Sequence, residues 1–330
     1  MRAVSISTHG GPEVLKLVDL PEPTAGEGEV TIDVKYAGVG FVDVLFRRGA
    51  FGLTALPMMP GIEVTGLVRQ VGAGVHDLAI GTPVAAFLND FVNLPGCGGY
   101  AEIARARAAL AVPLAPDADL SVAASVLVNG TTGWLAIRDM VRLRRGESVF
   151  VPGAAGGLAG LIGQLARITG ASPIIGTVSS AEKRTAALRL GYDDILVGEL
   201  ASSTLHNIFG ERGINAAFDA IGGVSRRLAF QHLAPLGRMV VLGNASGADV
   251  EFAGDEFWHG SKTVQGLSLG RLTHLVPDRI AAAAHAVLEF VGSREITPQP
   301  IRVLPLSQAA EAHRLIESRS VTGKIVLQVA

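Results

Sequence analysis

Residues 151–160 read VPGAAGGLAG, and this stretch decides how the rest of the chain is interpreted. An apolar run leads into it, and an apolar pattern with helical spacing follows it. Its small residues recur at three-residue spacing, at Gly153, Gly156 and Ala159. Small residues between a strand and a helix let the backbone approach a pyrophosphate, which the free N–H groups of the helix then bind. The stretch predicts a dinucleotide-binding loop, with a plain strand-to-helix turn as the alternative. The residues predicted at the phosphates are Ala155, Gly156, Gly157 and Leu158.

Strand-like and helix-like segments alternate around this loop at the spacing of βαβ units. Strands are predicted over 148–151, 173–178, 194–197, 216–220, 238–242 and 263–269, and helices over 133–141, 158–169, 181–190 and 224–233. This order predicts a doubly wound parallel sheet with helices on both faces. Before it, alternating strands at 30–36, 64–71 and 82–88 predict a mostly β domain. We therefore expect an α/β chain with one domain formed by 1–118 and 296–330 and the other by 119–295.

Composition narrows the class of protein. The chain has 330 residues, 48% apolar and 18% charged, with a formal net charge of −2. Such a chain forms a buried core, and its balanced charge makes nucleic acid and anionic membrane poor partners. Cys97 is its one cysteine, so neither an internal disulfide nor a thiolate metal cluster can form, and we interpret it as an incidental thiol. With no signal-peptide pattern at the start, a cytoplasmic location is expected.

The second strand of the predicted sheet indicates which cofactor binds. An enzyme specific for NAD places Asp or Glu about 20 residues past the loop, on the ribose 2′-hydroxyl. Here the segment reads GTVSSAEKR, with Ser179 and Ser180 at that place and Lys183 just beyond. Hydroxyls and an ammonium group suit a 2′-phosphate, which a carboxylate would repel. We therefore predict NADP(H), although Lys183 taken alone could be a solvated lysine.

Several stretches match a known family in order and spacing. They are AGVGFVDVLFRRGAF (37–51), PGIEVTG (60–66), GGYAE (98–102), GAAGGLAG (153–160), GTVSSAEK (176–183), FDAIGG (218–223), LGNASG (242–247) and AHRLIESRSVTGKIVL (312–327). The chain resembles the zinc-independent, zeta-crystallin-like quinone oxidoreductases of the medium-chain dehydrogenase/reductase superfamily. The resemblance implies a GroES-like, mostly β catalytic domain, a Rossmann domain with the cofactor in the cleft, and a homodimer joined through the edge strands of the Rossmann sheets.

The resemblance also implies functional residues. At the substrate pocket it places Gly40, Phe41, Asp43, Phe46 and Phe51. Along the cofactor it places Asn129, Thr132, Gly243, Asn244, Ala245, Ser268 and Arg319. Members of this family commonly have asparagine at position 40 and tyrosines near 45 and 51, where this chain has Gly40, Leu45 and Phe51. These departures predict a larger and more apolar pocket, for an acceptor bulkier than a simple quinone, although the phenylalanines could equally be core residues.

The metal ligands of zinc-dependent relatives are replaced in this chain. A catalytic zinc needs three protein ligands. The GHE position reads Gly61-Ile62-Glu63, the early ligand position is Gly40, and the later one falls around Val128-Asn129. We therefore predict no metal and expect Glu63 to hold local structure.

The sequence thus predicts an NADPH-dependent, zinc-independent reductase that transfers hydride to a quinone or a similar electron-poor conjugated carbonyl. An NADPH-dependent enone or 2-enoyl reductase is one alternative, and a non-catalytic NADPH-binding redox sensor or structural protein is another. No residue is assigned as an acid or base, because an ordinary carboxylate such as Asp43 donates protons poorly at pH 7. A capping role is predicted for Asp43 instead.

Overall fold

A computed structural model describes residues 1–52, 55–88 and 98–329, so Cys97 lies outside the described residues. The chain divides into two compact units. Unit 1 consists of Met1–Val128, Gly270–Gly292 and Pro300–Ala330, and unit 2 consists of Asn129–Leu269 and Ser293–Gln299. The domain limits predicted from sequence, 1–118 with 296–330 and 119–295, stay a prediction.

The helices and strands follow the predicted alternation. The strands are β1 (Arg2–Ser5), β2 (Lys16–Asp19), β3 (Glu29–Val39), β4 (Glu63–Val71), β5 (Pro83–Phe87), β6 (Ile103–Arg107), β7 (Ala111–Pro113), β8 (Val149–Val151), β9 (Ile174–Val178), β10 (Asp194–Val197), β11 (Ile214–Asp219), β12 (Leu233–Val241), β13 (Thr263–Gly266), β14 (Ile301–Pro305) and β15 (Lys324–Gln328). The helices are α1 (Phe41–Arg48), α2 (Leu120–Leu135), α3 (Gly157–Ile168), α4 (Arg184–Leu188), α5 (Ser202–Phe209), α6 (Gly223–Gln231), α7 (Gly254–Gly260), α8 (Leu269–Leu275), α9 (Pro277–Gly292) and α10 (Ala309–Glu317).

Unit 1 is built on a mostly antiparallel sheet. Its strand order is β14-β15-β3-β4-β5-β7, and β6 also pairs with β3. The strict alternation of β3 places Val30, Ile32 and Val34 in the core, each at most 1% exposed. The C-terminal strand β15 pairs antiparallel with β3, with Ile325 opposite Val39. The last strand therefore returns to the first domain, and the predicted mostly β domain is confirmed.

Unit 2 contains a six-stranded sheet in the order β10-β9-β8-β11-β12-β13. All of its strand pairs are parallel. Numbered within the unit, this order is 3-2-1-4-5-6, the order of doubly wound dinucleotide-binding sheets. The strand order reverses between β8 and β11, and ligands of such sheets bind outside the carboxyl ends of the strands at that point. The predicted doubly wound parallel sheet is confirmed.

The helix predicted over 133–141 is helical in the structure as far as Met140, but it begins much earlier than predicted. In the structure α2 begins at Leu120 and continues beyond Leu135 as a π-helical turn, Ala136–Met140. Asp119 caps its start, because its Oδ1 accepts hydrogen bonds from the N–H of Ser121 at 2.9 Å and of Val122 at 3.2 Å. The helix is apolar on most sides, so its first turns lack the amphipathic period that reveals a helix in sequence. The most apolar 18-residue stretch within Leu120–Met140 is 67% buried, as expected of a helix in the core of a globular protein.

Helix α3 packs closely on its neighbours through two glycines. A Cβ on Gly163 would lie 2.5 Å from the carbonyl oxygen of Leu190, and one on Gly160 would lie 1.9 Å from Nε2 of Gln299. Any side chain at either position would displace backbone or a buried amide. The close packing therefore depends on both glycines.

A chain of buried polar groups crosses unit 1. The hydroxyl of Tyr100 lies 3.2 Å from Nε2 of His313, and Nδ1 of His313 lies 3.4 Å from Nη1 of Arg47. Nη1 and Nη2 of Arg47 both donate to the Glu317 carboxylate. Tyr100, His313 and Arg47 are all fully buried, so each must find its partner inside the protein.

The hydrogen-bond donors in this network of buried polar groups fix the tautomer of His313. Arginine can only donate, so Nδ1 of His313 accepts from Arg47 and its proton lies on Nε2. The Nε2–H then donates to the Tyr100 oxygen. Burial, followed by the charge of Arg47, lowers the pKa of His313 to about 3. The histidine is therefore neutral at physiological pH.

We expect this buried histidine to make stability fall in acid. Its folded pKa of about 3 lies below its ordinary value of 6.5. The unfolded chain therefore binds the proton more readily between these values, and His313 reduces stability as the pH falls through that window. In His313→Gln, the loss of unfolding free energy between pH 7 and pH 5 should be smaller than in the wild type by about 1–2 kcal/mol. Urea unfolding at both pH values measures the difference.

His285 supplies the control for that measurement. It lies in α9 with its side chain 59% exposed beside Glu289. His285→Gln makes the same substitution at an exposed position, where surface changes usually alter the free energy of unfolding little. Equal slopes for the wild type and His313→Gln would contradict the assigned neutral state of His313.

Candidate functional site

The glycine loop joins β8 to α3 at the carboxyl edge of the parallel sheet. Gly153 adopts φ +75°, a left-handed conformation that favours glycine. Gly156 is the N-cap of α3 and has no side chain to bond the first-turn N–H groups. The four predicted phosphate residues, 155–158, lie on this turn, with Ala155 buried and Leu158 half-buried. Since those N–H groups have no intrahelical acceptor, they can bind the oxygens of a pyrophosphate.

Neighbouring segments hold this loop in place. The N–H of Ala154 donates to the Thr177 carbonyl at 2.8 Å, which ties the loop to β9. From the other side, Nε2 of Gln299 donates to the carbonyls of Gly156 at 3.4 Å and Gly157 at 3.2 Å. The sequence analysis missed Gln299, because nothing in the pattern connects it to a loop more than 140 residues earlier.

The predicted 2′-phosphate residues follow β9 directly. Ser179 is exposed, while Ser180 and Lys183 are half-buried and lie at either end of a short turn. The Ser180 hydroxyl donates to the Glu182 carboxylate at 2.9 Å. The position expected to carry an acid in an NAD enzyme thus holds serine, but a carboxylate lies beside it. Glu182 is not among the residues predicted for the site, although its place two residues after Ser180 is visible in the sequence.

The remaining unit 2 residues of the prediction lie beyond β12, beyond β13 and on α2. Gly243, Asn244 and Ala245 follow β12, where the N–H of Ala245 donates to the Ala220 carbonyl at 3.0 Å. Ser268 follows β13 and is exposed. The structure therefore brings the glycine loop, residues 243–245 and Ser268 to the carboxyl ends of parallel strands of one sheet. Asn129 and Thr132 are three residues apart on α2 and so share one face of that helix.

Asp43 anchors the predicted substrate residues of unit 1. Gly40 is the N-cap of α1 and Phe41 its first residue. Oδ2 of Asp43 accepts from the Gly40 N–H at 2.8 Å, and Oδ1 accepts from the Gly61 N–H at 3.0 Å. Burial raises the pKa of Asp43 to about 6, against the lowering effect of these two bonds. Both oxygens are engaged with backbone, which is the geometry of a capping group.

Two phenylalanines lie at the other end of α1. The ring centroids of Phe46 and Phe51 are 4.9 Å apart, with the rings tilted by 53°. Phe46 packs against the unit 1 core, whereas Phe51 is 50% exposed. One ring therefore belongs to the core, and the other offers an apolar face to solvent or a ligand.

The positions of the zinc ligands in other relatives carry no metal-binding side chains. Gly40 has no side chain, and Ile62 is a buried hydrocarbon. Glu63 is engaged elsewhere, since Oε1 accepts from Lys324 Nζ at 2.6 Å and Oε2 accepts from the Val128 N–H at 2.8 Å. Within residues 1–52, 55–88 and 98–329, no three His, Cys, Asp or Glu side chains group to hold a metal ion.

Arg319 lies on the turn after α10 in unit 1. It is exposed and adopts φ +55°, and its N–H donates to the Ile316 carbonyl at 3.1 Å. Its assignment to the cofactor, like the other site assignments, stays a prediction.

Comparison with known proteins agrees with this architecture. Residues 26–117 match the family model "Alcohol dehydrogenase GroES-like domain", and residues 157–289 match "Zinc-binding dehydrogenase". The chain is 30% identical to a probable quinone oxidoreductase of Schizosaccharomyces pombe, over 98% of this chain and 96% of that protein. It is 28% identical to quinone oxidoreductase 1 of Escherichia coli, over 98% of each.

A solved structure supports the same assignment. The Escherichia coli quinone oxidoreductase complexed with NADPH superposes with a TM-score of 0.90 at 26% identity, over 100% of both chains. Unit 1 thus corresponds to a GroES-like domain and unit 2 to a Rossmann domain. The chain belongs to the quinone oxidoreductase family of the medium-chain dehydrogenase/reductase superfamily.

Proposed function

We propose that this oxidoreductase binds NADPH and transfers hydride to a quinone or a similar electron-poor conjugated carbonyl without zinc. The observation that carries the proposal is the uncapped start of α3 at the reversal of strand order, with serines following the next strand. The names of the relatives and the NADPH complex of the Escherichia coli enzyme support the same chemistry. When bound, NADPH supplies the hydride.

The residues of unit 2 fit NADPH from end to end. The first turn of α3 offers N–H groups to the pyrophosphate, and Gln299 fixes the carbonyls of that turn. Ser179, Ser180 and Lys183 offer hydroxyls and an ammonium group to the 2′-phosphate, a set that recognises anions. Glu182 opposes this attraction, so the preference for NADPH over NADH should be moderate. The loop 243–245 lies past the point of strand reversal, where the other half of a dinucleotide binds.

The residues of unit 1 favour an acceptor that needs no Lewis acid. Gly40 and Ile62 offer no ligand atom, and Glu63 is bound to Lys324. An acceptor must then take hydride readily by itself, as quinones and conjugated enones do. Asp43 holds the Gly40 and Gly61 backbone, so its role is to position the pocket, and we assign the proton to solvent. Of the three tyrosines, Tyr100 and Tyr192 are buried, which counts against a 2-enoyl thioester reductase that needs a tyrosine donor.

We also propose a homodimer through the β13 edge of the Rossmann sheet, whose opposite edge is β10, in a chain that acts in the cytoplasm. The edge strand is β13, and Leu236, 76% exposed, lies beside it through a bond between its N–H and the Ser261 carbonyl. Leu236→Asn keeps a residue suited to the observed φ of +63° but removes the apolar side chain. Sedimentation equilibrium should show a dimer for the wild type and a shift toward monomer for this variant. A wild-type monomer would overturn the dimer.

The first test of the function is NADPH oxidation at 340 nm with 9,10-phenanthrenequinone and EDTA. We expect enzyme-dependent loss of absorbance that EDTA does not reduce. No oxidation by a protein that binds NADPH would contradict quinone reduction and favour the enone reductase or the non-catalytic sensor. Loss of activity in EDTA, restored by zinc, would contradict the metal-free mechanism.

Phe51 is predicted to form an apolar wall for bulky acceptors. Phe51→Ala should lower kcat/KM for 9,10-phenanthrenequinone by about threefold to tenfold and for 1,4-benzoquinone by less, because a larger acceptor buries more apolar surface there. Leu17→Ala removes another exposed apolar side chain, 47% exposed in β2, and serves as the control. Equal effects of Phe51→Ala on both acceptors would show that Phe51 is no part of the pocket.

Ser180 and Glu182 should set the preference for NADPH. Ser180→Asp brings a carboxylate to the proposed 2′-phosphate position and should raise the Kd for NADPH by about tenfold or more, with little effect on NADH. Glu182→Gln removes the existing carboxylate and should lower the Kd for NADPH. Glu211→Gln removes an exposed carboxylate elsewhere in unit 2, so it controls for net charge. Tighter binding of NADH than NADPH by the wild type would contradict the assignment.

A further inference from the structure

Two loops interlock at the carboxyl ends of β11 and β12. The N–H groups of Ala245 and Ser246 donate to the carbonyls of Ala220 at 3.0 Å and Ile221 at 2.8 Å. In return, the Gly223 N–H donates to the Ala248 carbonyl at 2.9 Å. We call residues 220–223 and 243–248 the double loop. It carries three of the predicted cofactor residues, 243–245, so whatever fixes the double loop also fixes them.

Arg226, on the first turn of α6, forms hydrogen bonds that hold the double loop in place. Its Nε donates to Asp219 Oδ2 at 2.6 Å, and its Nη2 donates to the Gly243 carbonyl at 2.5 Å. Its Nη1 reaches Asp249 Oδ1 at 3.1 Å. The arginine side chain is 5% exposed and that of Asp219 is fully buried. One planar guanidinium group therefore joins the end of β11, the Gly243 carbonyl of the double loop and Asp249, the residue that follows the double loop.

Asp219, the ion-pair partner of Arg226, also holds the turn that follows β11. Its Oδ1 accepts from the N–H of Ile221 at 3.1 Å and of Gly222 at 3.2 Å. The turn at 220–222 therefore depends on the Asp219 carboxylate, which is held in turn by Arg226. A buried charge without its partner is costly, so neither residue can be removed without affecting the other.

The bond to the Gly243 carbonyl has a directional consequence. In a trans peptide the C=O and the following N–H point in opposite directions. Since Arg226 holds the Gly243 carbonyl, the N–H of Asn244 is directed away from Arg226. Past the reversal of strand order, the carboxyl edge of the sheet receives the half of a dinucleotide that lies beyond its pyrophosphate.

We propose that Arg226 is a positioning residue for the cofactor, which orients the Gly243–Asn244 peptide toward the nicotinamide half of NADPH. The proposal rests on the proposed binding of NADPH. The glycine loop and residues 179–183, which would bind the adenosine half, follow β8 and β9 on the other side of the strand reversal. Arg226 should therefore affect the two halves of the cofactor unequally.

The test compares two ligands by calorimetry: NADPH, and 2′,5′-ADP, which contains only the adenosine half. In Arg226→Met the Kd for NADPH should rise by about tenfold, as expected from the loss of charge-assisted hydrogen bonds, while that for 2′,5′-ADP changes by less than about twofold. Arg226→Gln keeps an amide donor but cannot serve both Asp219 and Gly243, so its effect should be intermediate. It also replaces Arg226→Met should that variant fail to fold.

Arg227 offers a matched control, since it is the next residue of α6 and pairs with Glu256 instead of the double loop. Arg227→Met should leave both Kd values unchanged. Parallel weakening of both ligands in the folded Arg226 variants, or no weakening of either, would overturn the positioning role. A wild type that binds neither ligand would instead overturn the proposed function, so the two failures are distinguishable.

Discussion

The arrangement of unit 1 depends on a single buried carboxylate, Asp43. Its two oxygens join the start of α1 to the turn at Gly61, and these segments contain the predicted acceptor residues. A carboxylate without solvent is unfavourable, and the N–H groups of Gly40 and Gly61 offset that cost. In the same unit, the buried Tyr100 accepts a hydrogen bond from a neutral His313, which accepts one from Arg47. The predicted acceptor residues of unit 1 are thus carried by segments that buried polar groups hold in place.

In unit 2, the groups predicted to bind the cofactor are mostly backbone groups on loops, and buried side chains hold those loops. Parallel strands end together, so the loops that follow them meet at one edge. The glycine loop and residues 243–245 are about 90 positions apart in the chain. Both nevertheless follow strands of the same parallel sheet, β8 and β12. Each loop is held from behind by a buried side chain, Gln299 for the first and Arg226 for the second. The groups that would contact a cofactor are mostly N–H groups, and the side chains supply rigidity.

Sequence reasoning succeeded where the signal was local. The strand, glycine loop and helix at 148–169 are contiguous, and the alternation of β3 gives its buried face directly. It failed at the start of α2, where an apolar helix has no polar face to mark its period and the signal was the cap, Asp119. It could not find Gln299 or Arg226, because their roles arise from contacts that only the folded chain creates. Glu182 was visible, but its influence on Ser180 depends on the geometry of the turn.

The glycines of α3 have a consequence for how this enzyme can diverge. Gly160 and Gly163 face atoms that leave no room for a methyl group, so both are fixed by packing rather than by chemistry. The turn at 179–183 is bounded by solvent on its outer side, with Ser179 and Glu182 exposed. Under the proposed assignment, substitutions in an exposed turn would change the coenzyme preference without disturbing packed residues. The glycines of α3, the helix proposed to bind the diphosphate, tolerate no such substitution.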